Sequence, residues 1–166
     1  MKLQIFDKAK KKKLLPHFEY FGIKKIPQLL LRSGNERICA YSGSLSVNEI
    51  MELWRILSIE RVGLYVGKEI SKNSKEEFRL SLDGLHIWKD QIKEKIFVLT
   101  EEQESDWFKG KNIELNEIQK KDFSESKGFY AVKSFDEKDF VGTGKISNGI
   151  IYNFLPKERR RKVMEI

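Results

Sequence analysis

Three consecutive arginines near the end of the sequence, Arg159, Arg160 and Arg161, are the residues whose chemistry is best suited to binding a ligand. Adjacent guanidinium groups repel one another, and so short a segment offers too few carboxylates to neutralise all three. Each guanidinium presents a planar fork of donors that fits two phosphate oxygens. The last ten residues, 157–166, carry five basic and two acidic side chains. We therefore predict that this segment contacts nucleic acid, with plain solvation of the charges as the alternative.

The residues that catalysis or metal binding would require are sparse and scattered. The sequence holds one cysteine, Cys39, and two histidines, His17 and His86, with no paired-ligand spacing. It lacks a nucleophile elbow, a P-loop and a Gly-rich dinucleotide turn, and Gly142 and Gly144 are interpreted as sites of strand bending or close backbone approach. We interpret His17 as a half-buried core residue and Cys39 as a small apolar filler. The sequence therefore predicts that the protein is not an enzyme and binds neither a cofactor nor a metal ion.

Charge is distributed unevenly along the 166 residues, whose formal net charge is +7. Residues 1–92 carry a net charge of +6 and residues 93–156 a net charge of −2, so the basic excess of the second part comes from its last ten residues. Lys10 to Lys13 form a second basic cluster, which we interpret as a solvated helix face. A lone cysteine forms no intramolecular disulfide, and no apolar run approaches the roughly 20 residues of a membrane span. We expect a soluble cytoplasmic protein, or a nucleolar one in a eukaryote.

The first 92 residues predict a mixed α/β domain. Ser46 and Glu49 have the spacing of a capping box, in which each side chain accepts from the other residue's backbone N–H, ahead of an apolar helical stripe. The polar stretch Lys68 to Lys75 is predicted to be a loop. The other predicted elements are a short helix within Phe6 to Phe21 that Pro16 kinks or divides, a hairpin of Gln28 to Arg32 with Arg37 to Ser42, and strands at Val62 to Val66 and Glu77 to Leu82.

Residues 93–166 predict a small β-barrel, because five short β runs occur within about 60 residues. Thr100 and Gln103 have the spacing of a second capping box, whose helix precedes a tight turn at Gly110. Leu85 to Gln91 is predicted to be an exposed junction, so the chain is α+β, with an α/β domain followed by a β pseudobarrel. The five predicted strands are Lys95 to Leu99, Asn112 to Leu115, Phe129 to Lys133, Phe140 to Ile146 and Ile150 to Leu155.

The spacing of glycines and apolar runs in the second half has a counterpart in a known family. The segments that carry the resemblance are Phe97-Val98-Leu99, Trp107 to Ile113, Lys127 to Val132 and Phe140 to Ile146, within the run Lys95 to Val163. This run resembles a PUA domain, the small RNA-binding pseudobarrel of pseudouridine synthases and archaeosine transglycosylases. The resemblance implies an RNA-binding domain over residues 93–166.

A second resemblance involves the first half of the chain. The residues that carry it, Gly67-Lys68, Lys75 to Leu80 and Gly84-Leu85, resemble the G-K-F, K-F-R-L and A-L stretch of the Nip-seven family of large-ribosomal-subunit biogenesis factors. Members of this family pair an α/β domain with a C-terminal PUA domain. The resemblance implies a factor, of the archaeal type, that binds pre-ribosomal RNA in single-stranded segments. Its N-terminal domain, residues 1–92, would contact ribosome-assembly or RNA-processing proteins.

The resemblance also implies which residues bind RNA. In this family RNA contact is attributed to basic residues near the end of the PUA domain, which match Lys157, Arg159, Arg160, Arg161 and Lys162. The loop of Lys109 and Lys111 is a further candidate contact, and the rings of Phe108 and Tyr152 are candidates for base stacking.

Two alternatives remain open at this stage. One is an accessory module or relative of an RNA-modifying enzyme of the transglycosylase or pseudouridine synthase type, although roughly 90 residues are few for a catalytic domain. The other is a protein-interaction module whose basic ends serve solubility. RNA binding at physiological salt would distinguish the second alternative from the leading interpretation.

Overall fold

The computed structural model describes residues 2–162, so the part of the predicted basic segment at residues 163–166 lies outside the described residues. The first sheet has the strand order β1-β2-β3-β4-β5 and is antiparallel throughout. Its strands are β1 (Leu3–Ile5), β2 (Leu29–Ser33), β3 (Arg37–Tyr41), β4 (Leu64–Lys72) and β5 (Lys75–Leu80). Two helices accompany this sheet, α1 (Lys8–Glu19) and α2 (Val47–Ile56).

The second sheet has the order β6-β8-β9-β10-β7, in which β6 and β8 are parallel and the other pairs are antiparallel. Its strands are β6 (Ile96–Val98), β7 (Ile113–Glu114), β8 (Gly128–Lys133), β9 (Phe140–Ser147) and β10 (Ile150–Asn153), which confirms the five predicted β runs. Helix α3 (Leu82–Ile87) joins the sheets, α4 (Glu101–Phe108) and α5 (Glu117–Asp122) lie within the second half, and a 3₁₀ turn (Lys157–Arg159) follows β10.

The predicted helix starts are confirmed at both capping boxes. The Ser46 and Glu49 side chains cap α2 reciprocally, and Thr100 and Gln103 do the same for α4. A third box, which the sequence analysis missed, begins α5 at Asn116. Its partner Gln119 is buried and exchanges hydrogen bonds of 2.9 and 3.0 Å with the Gln103 side chain, so the starts of α4 and α5 are fixed to each other.

The structure contradicts the predicted loop at Lys68 to Lys75. These residues form the arms of the β4–β5 hairpin, and only Asn73 and Ser74 lie in its turn, both with positive φ as a tight hairpin turn requires. Both arms extend toward solvent and consist mainly of polar residues. Their sequence therefore lacks the alternation of apolar and polar residues from which a strand is predicted. Ion pairs join β4 to the preceding hairpin, including Lys68 Nζ with Glu36 Oε2 of the β2–β3 turn at 2.7 Å.

The junction predicted at Leu85 to Gln91 lies between the two sheets in the chain, but the expectation that it is exposed is wrong. This stretch contains the second half of α3 and the buried side chains of Leu85 and Trp88. These side chains belong to a core cluster that includes Phe18 of α1 and extends to Phe129 and Phe140 of the second sheet. Because both sheets contribute to one hydrophobic cluster, a protease would have to unpack the core to cut here.

Tyr20 follows α1 and lies against the second sheet, where a Cβ on Gly128 would come 3.0 Å from its hydroxyl oxygen. Burial above all, together with the nearby Tyr130 and Glu77, raises the pKa of Tyr20 to about 12. The folded protein thus favours the neutral phenol, so this contribution to stability is complete below about pH 10 and is lost toward pH 12.

A tyrosine absorbance titration should therefore show one step near pH 12 in the folded protein, where ordinary tyrosines titrate near pH 10. Tyr20→Phe should remove this late step, and Tyr152→Phe should leave it in place. A late step that survives Tyr20→Phe would contradict this assignment.

Candidate nucleic-acid interface

The basic segment after β10 is held against the end of α4. The backbone N–H of Arg161 donates to the carbonyl of Phe108 at 2.8 Å, and Arg160 Nε donates to the Leu155 carbonyl at 3.0 Å. Asn153 strengthens the same corner, since its Nδ2 donates to the carbonyls of Trp107 at 2.8 Å and Lys111 at 3.0 Å. The predicted tail and the predicted Gly110 loop therefore form one surface, called here the tail–loop surface (residues 106–112 and 153–162).

The three arginines have different environments, although the sequence suggested three equivalent contacts. Arg161 is exposed, and its guanidinium carbon lies 4.7 Å from the centre of the Phe108 ring. Arg160 is half-buried over Gly110, where a Cβ would come 2.5 Å from Arg160 Cδ. Gly110 has a φ of +83°, so a side chain there would be strained as well as crowded. Arg159 is exposed and points toward a different cleft.

The lysines of the loop are partly neutralised. Lys111 and Lys109 contact Asp106 Oδ1 at 2.8 and 3.6 Å. The hydrogen bond from Lys111 is the main reason that the pKa of Asp106 is lowered. Two lysines on one carboxylate leave the loop with a single excess positive charge. By contrast, the tail cations form no ion pair with any residue in 2–162; they are Lys157, Arg159, Arg160, Arg161 and Lys162.

The two candidate stacking rings differ in accessibility. Phe108 is half-buried and packs against the second core cluster, which surrounds Trp107. Arg161 covers part of it, so a base would have to stack beside the guanidinium. Tyr152 on β10 is exposed, and a base can reach it directly.

The other residues considered for chemistry have structural surroundings. His17 is half-buried and stacks on Phe78 at 5.7 Å, which confirms its interpretation as a core residue. Cys39 is buried in β3, and burial raises the pKa of its thiol, as expected of an apolar filler. His86 Nε2 lies 3.0 Å from the carbonyl of Phe140. Across residues 2–162, no three His, Cys, Asp or Glu side chains cluster as metal ligands.

The glycines of β9 are confirmed as points of close approach. A Cβ on Gly144 would come 2.5 Å from the Ile151 side chain, and one on Gly142 would come 3.0 Å from the Trp107 ring. Gly142 also has a φ of +148° beside a register shift in the β8–β9 pairing. The curled second sheet thus closes around the indole of Trp107.

The Lys10 to Lys13 cluster is only partly the solvated face that the sequence suggested. Lys11 Nζ donates to the carbonyl of Ile26 at 2.5 Å and to that of Gln28 at 3.3 Å. Partial burial lowers the pKa of Lys11. Lys12 and Lys13 are exposed and remain free of ion pairs within residues 2–162.

Sequence reasoning missed a cleft where the two sheets meet. Arg61, Tyr65 and Arg79 from the first half, with Phe154 and Arg159 from the second, line a space of about 240 Å³, called here the arginine cleft. The only signal in the sequence was that these residues are arginines and aromatic residues. They are spread over about a hundred residues of chain, and only the fold brings them together.

The curled second sheet with a basic segment at its end defines a small β domain suited to phosphate-rich ligands. Residues 94–161 match the family model described as the methyltransferase RsmF PUA domain. The matched segment runs from the start of β6 through Arg161, so it includes most of the tail–loop surface. The C-terminal part of the chain is thus a PUA domain, and the match supports RNA binding. No curated protein matches the chain.

No helix among residues 2–162 is both long enough and apolar enough to cross a bilayer. The division of the chain into domains at residues 92 and 93 stays a prediction, as does the cytoplasmic location.

Proposed function

We propose that this protein is a non-catalytic RNA-binding factor that acts in large-subunit ribosome assembly and pre-rRNA processing. The observation that carries the proposal is the tail–loop surface of the PUA domain, whose tail cations form no ion pair within residues 2–162. Hydrogen bonds from the Arg161 N–H and from Arg160 Nε hold this tail segment against the end of α4 and the Leu155 carbonyl. Such a surface binds the phosphate backbone electrostatically, while exposed rings such as Tyr152 take unpaired bases. The resemblance to the Nip-seven family supports the assignment to ribosome assembly.

The proposal that the protein has no catalytic activity is supported by the surroundings of its reactive residues. Cys39 is buried with a raised thiol pKa, and His17 packs on a phenylalanine, so neither is activated as a nucleophile or base. RNA recognition needs no such group. We propose that the protein acts by holding RNA and proteins together.

Helix α2 supports the proposed contact of the N-terminal domain with assembly or processing proteins. Only Ile50 of this helix is buried, and Ile56 at its end is 78% exposed. Leu53 and Leu57 are also exposed and, three residues before and one residue after Ile56, they extend its apolar surface patch. Leu45 and Val47 are further exposed apolar residues at the start of α2, and Leu64 is exposed on β4. Exposed apolar surface of this kind is typical of protein contact sites.

Substitution of the patch should separate protein binding from RNA binding. Ile56→Lys is expected to leave the unfolding free energy within about 0.5 kcal/mol of the wild type, because the side chain is exposed. It should abolish retention of assembly or processing proteins by the immobilised full chain, with RNA affinity unchanged. Glu52→Gln, which makes the same charge change on the exposed side of α2, is the control. Equal retention by both variants would contradict the proposal.

A second function is favoured by the description of the matching family model. In this second proposal, the PUA domain is the RNA-binding module of an RNA methyltransferase or of another RNA-modifying enzyme. The support is that the family description names a PUA domain of a methyltransferase. The two proposals differ in the RNA and the partners that they require.

Crosslinking in cells, followed by sequencing of the bound RNA, distinguishes a ribosome-assembly factor from the RNA-binding module of a modifying enzyme. The ribosome-assembly proposal expects crosslinks concentrated in precursors of the large-subunit rRNA, together with assembly proteins. Crosslinks confined to the neighbourhood of one modified nucleotide, with loss of that modification when the protein is depleted, would instead favour the module of a modifying enzyme.

A further inference from the structure

The arginine cleft has more cationic groups than its own carboxylates neutralise. Arg61, Arg79 and Arg159 line it together with Asp83 and Glu158. None of the three arginines forms an ion pair within residues 2–162. The cleft therefore holds three cationic and two anionic side chains, and neither carboxylate lies within ion-pair distance of an arginine in the described part of the chain. Clustered, unpaired guanidinium groups are suited to an anionic ligand with planar oxygen groups.

The cleft also offers aromatic and guanidinium surfaces for stacking. The guanidinium carbon of Arg79 lies 4.6 Å from the centre of the Phe154 ring, and Phe154 is 38% exposed. Phe154 is itself supported by Phe129 in an edge contact of 5.5 Å. Unpaired bases stack on both aromatic rings and arginine planes. The combination of stacking groups with arginines distinguishes a nucleotide from a carboxylate-rich peptide.

The walls of the cleft are fixed by hydrogen bonds from both sheets. Thr143 Oγ1 in β9 donates to the carbonyl of Leu80 at the end of β5 at 2.7 Å, and Thr143 is buried. Ser81 Oγ donates to the carbonyl of Tyr65 at 2.6 Å, and the backbone N–H of Phe154 donates to the Thr143 carbonyl at 3.2 Å. The cleft is thus preformed, which reduces the entropy lost when a ligand binds.

The cleft continues the tail–loop surface. Arg159 lines the cleft, while Arg160 and Arg161, next in the chain, lie against Gly110 and Phe108. At about 240 Å³ the cleft is smaller than the roughly 300–1,000 Å³ of pockets that enclose a drug-sized ligand. One nucleotide of a longer strand fits these dimensions better than a free dinucleotide.

We propose that the arginine cleft binds one nucleotide of the same single-stranded RNA that the tail–loop surface binds, so that the RNA path crosses from the PUA domain onto the first sheet. Arg61 and Arg159 hold the phosphate, and the Arg79–Phe154 pair stacks on the base. This inference rests on the proposed RNA binding, and it adds residues outside the matched PUA segment to the RNA site.

The test uses the full chain and a fluorescent single-stranded oligouridylate of about 10 nucleotides, within the range of ~4–16 nucleotides that small β domains cover. Arg61→Gln should weaken binding about 3- to 10-fold and flatten the plot of log affinity against log salt by about 0.7, because it removes a phosphate contact. Arg79→Gln should weaken binding to a similar extent through lost stacking on the base, with a smaller change of slope. Arg55→Gln removes the same charge from exposed α2, outside the cleft, and should change affinity less than about twofold. Phe154→Leu should weaken binding about fivefold or more through lost stacking.

The outcomes separate this inference from the proposed function. Wild-type affinity and salt slope in both Arg61→Gln and Arg79→Gln would overturn the cleft assignment, while RNA binding that still depends on Arg161 would leave the proposed function intact. Absence of RNA binding by the wild type would overturn both. The cleft assignment would also be overturned if an oligoglutamate peptide bound more tightly than the RNA, or if uridine monophosphate alone bound as tightly as the RNA. Arg61 is exposed and forms no side-chain bond within residues 2–162, so its variant remains informative if Arg79→Gln unfolds.

Discussion

Replacement of Arg159, Arg160 and Arg161 by Ala is expected to weaken binding of single-stranded RNA to a similar extent for all sequences. If each arginine neutralises one phosphate, the slope of log affinity against log salt should fall by about 0.7 per contact, or roughly 2 for the three. The corresponding loss of affinity is more than about tenfold near physiological salt. Phosphate contacts carry no base information, so a uniform loss is the diagnostic feature.

The three arginines are expected to contribute differently, because Arg160 also makes contacts that stabilise the fold. Arg160 donates to the Leu155 carbonyl and packs on Gly110, so Arg160→Ala should also lower the melting temperature slightly. The double variant Arg159→Ala with Arg161→Ala leaves that contact in place and should flatten the slope by about 1.4. Fluorescence anisotropy titrations at several salt concentrations would measure both quantities.

Lys12→Ala with Lys13→Ala is the matched control, because it removes two exposed charges from α1 and spares Lys11, which bonds the Ile26 carbonyl. This control should change the slope much less than the arginine double variant. Wild-type affinity and slope in the folded arginine variant would show that the tail is not the RNA site. A loss restricted to particular RNA sequences would instead indicate base recognition at these positions.

Trp107→Ala is expected to cause the largest loss of stability, about 3–5 kcal/mol of unfolding free energy. The indole is fully buried, and its Nε1 donates to the Val141 carbonyl at 3.0 Å. Removal leaves a large cavity and a buried carbonyl without its partner. At about 2–4 °C per kcal/mol for a chain of this size, the melting temperature should fall by roughly 6–20 °C. Urea unfolding followed by circular dichroism would measure it.

The functional consequence of this variant should follow from the same contacts. The Trp107 carbonyl accepts from Asn153, which also bonds the Gly110 loop through Lys111. Loosening α4 should therefore weaken RNA binding even below the melting temperature. Trp54→Ala on α2, where the tryptophan is only half-buried, is the matched control and should cost much less stability. Equal losses in the two variants would contradict the central role of Trp107 in the second core.

The parts of the fold that the sequence predicted well depend on local signals. Ser46 with Glu49 and Thr100 with Gln103 marked helix starts, because a capping box is complete within four residues. The strands of the second sheet contain short apolar runs, and β8 and β9 bury theirs almost continuously. The β4–β5 arms lack such runs, because they are paired in the sheet yet solvated, with Glu69 bound to Arg32 on a strand far away in sequence.

The candidate site was only partly predictable for a related reason. The three consecutive arginines predicted a nucleic-acid contact in the tail. Nothing in the sequence near Arg160 indicates that it packs on Gly110, fifty residues earlier. The arginine cleft combines Arg61 and Arg79 with Phe154 and Arg159, and only the contact between the sheets brings them together. Such long-range arrangements depend on tertiary packing, which single-sequence patterns do not contain.

The measurement that tests the central claim most directly is ultraviolet crosslinking of the purified full chain to single-stranded RNA, with the crosslinked residues identified by mass spectrometry. RNA binding through the PUA tail predicts crosslinks at Tyr152 and in the tail–loop surface, residues 106–112 and 153–162, and their loss in the triple arginine variant. Crosslinks confined to α2 and its apolar neighbours, or RNA binding with no crosslink in either segment of the tail–loop surface, would contradict it.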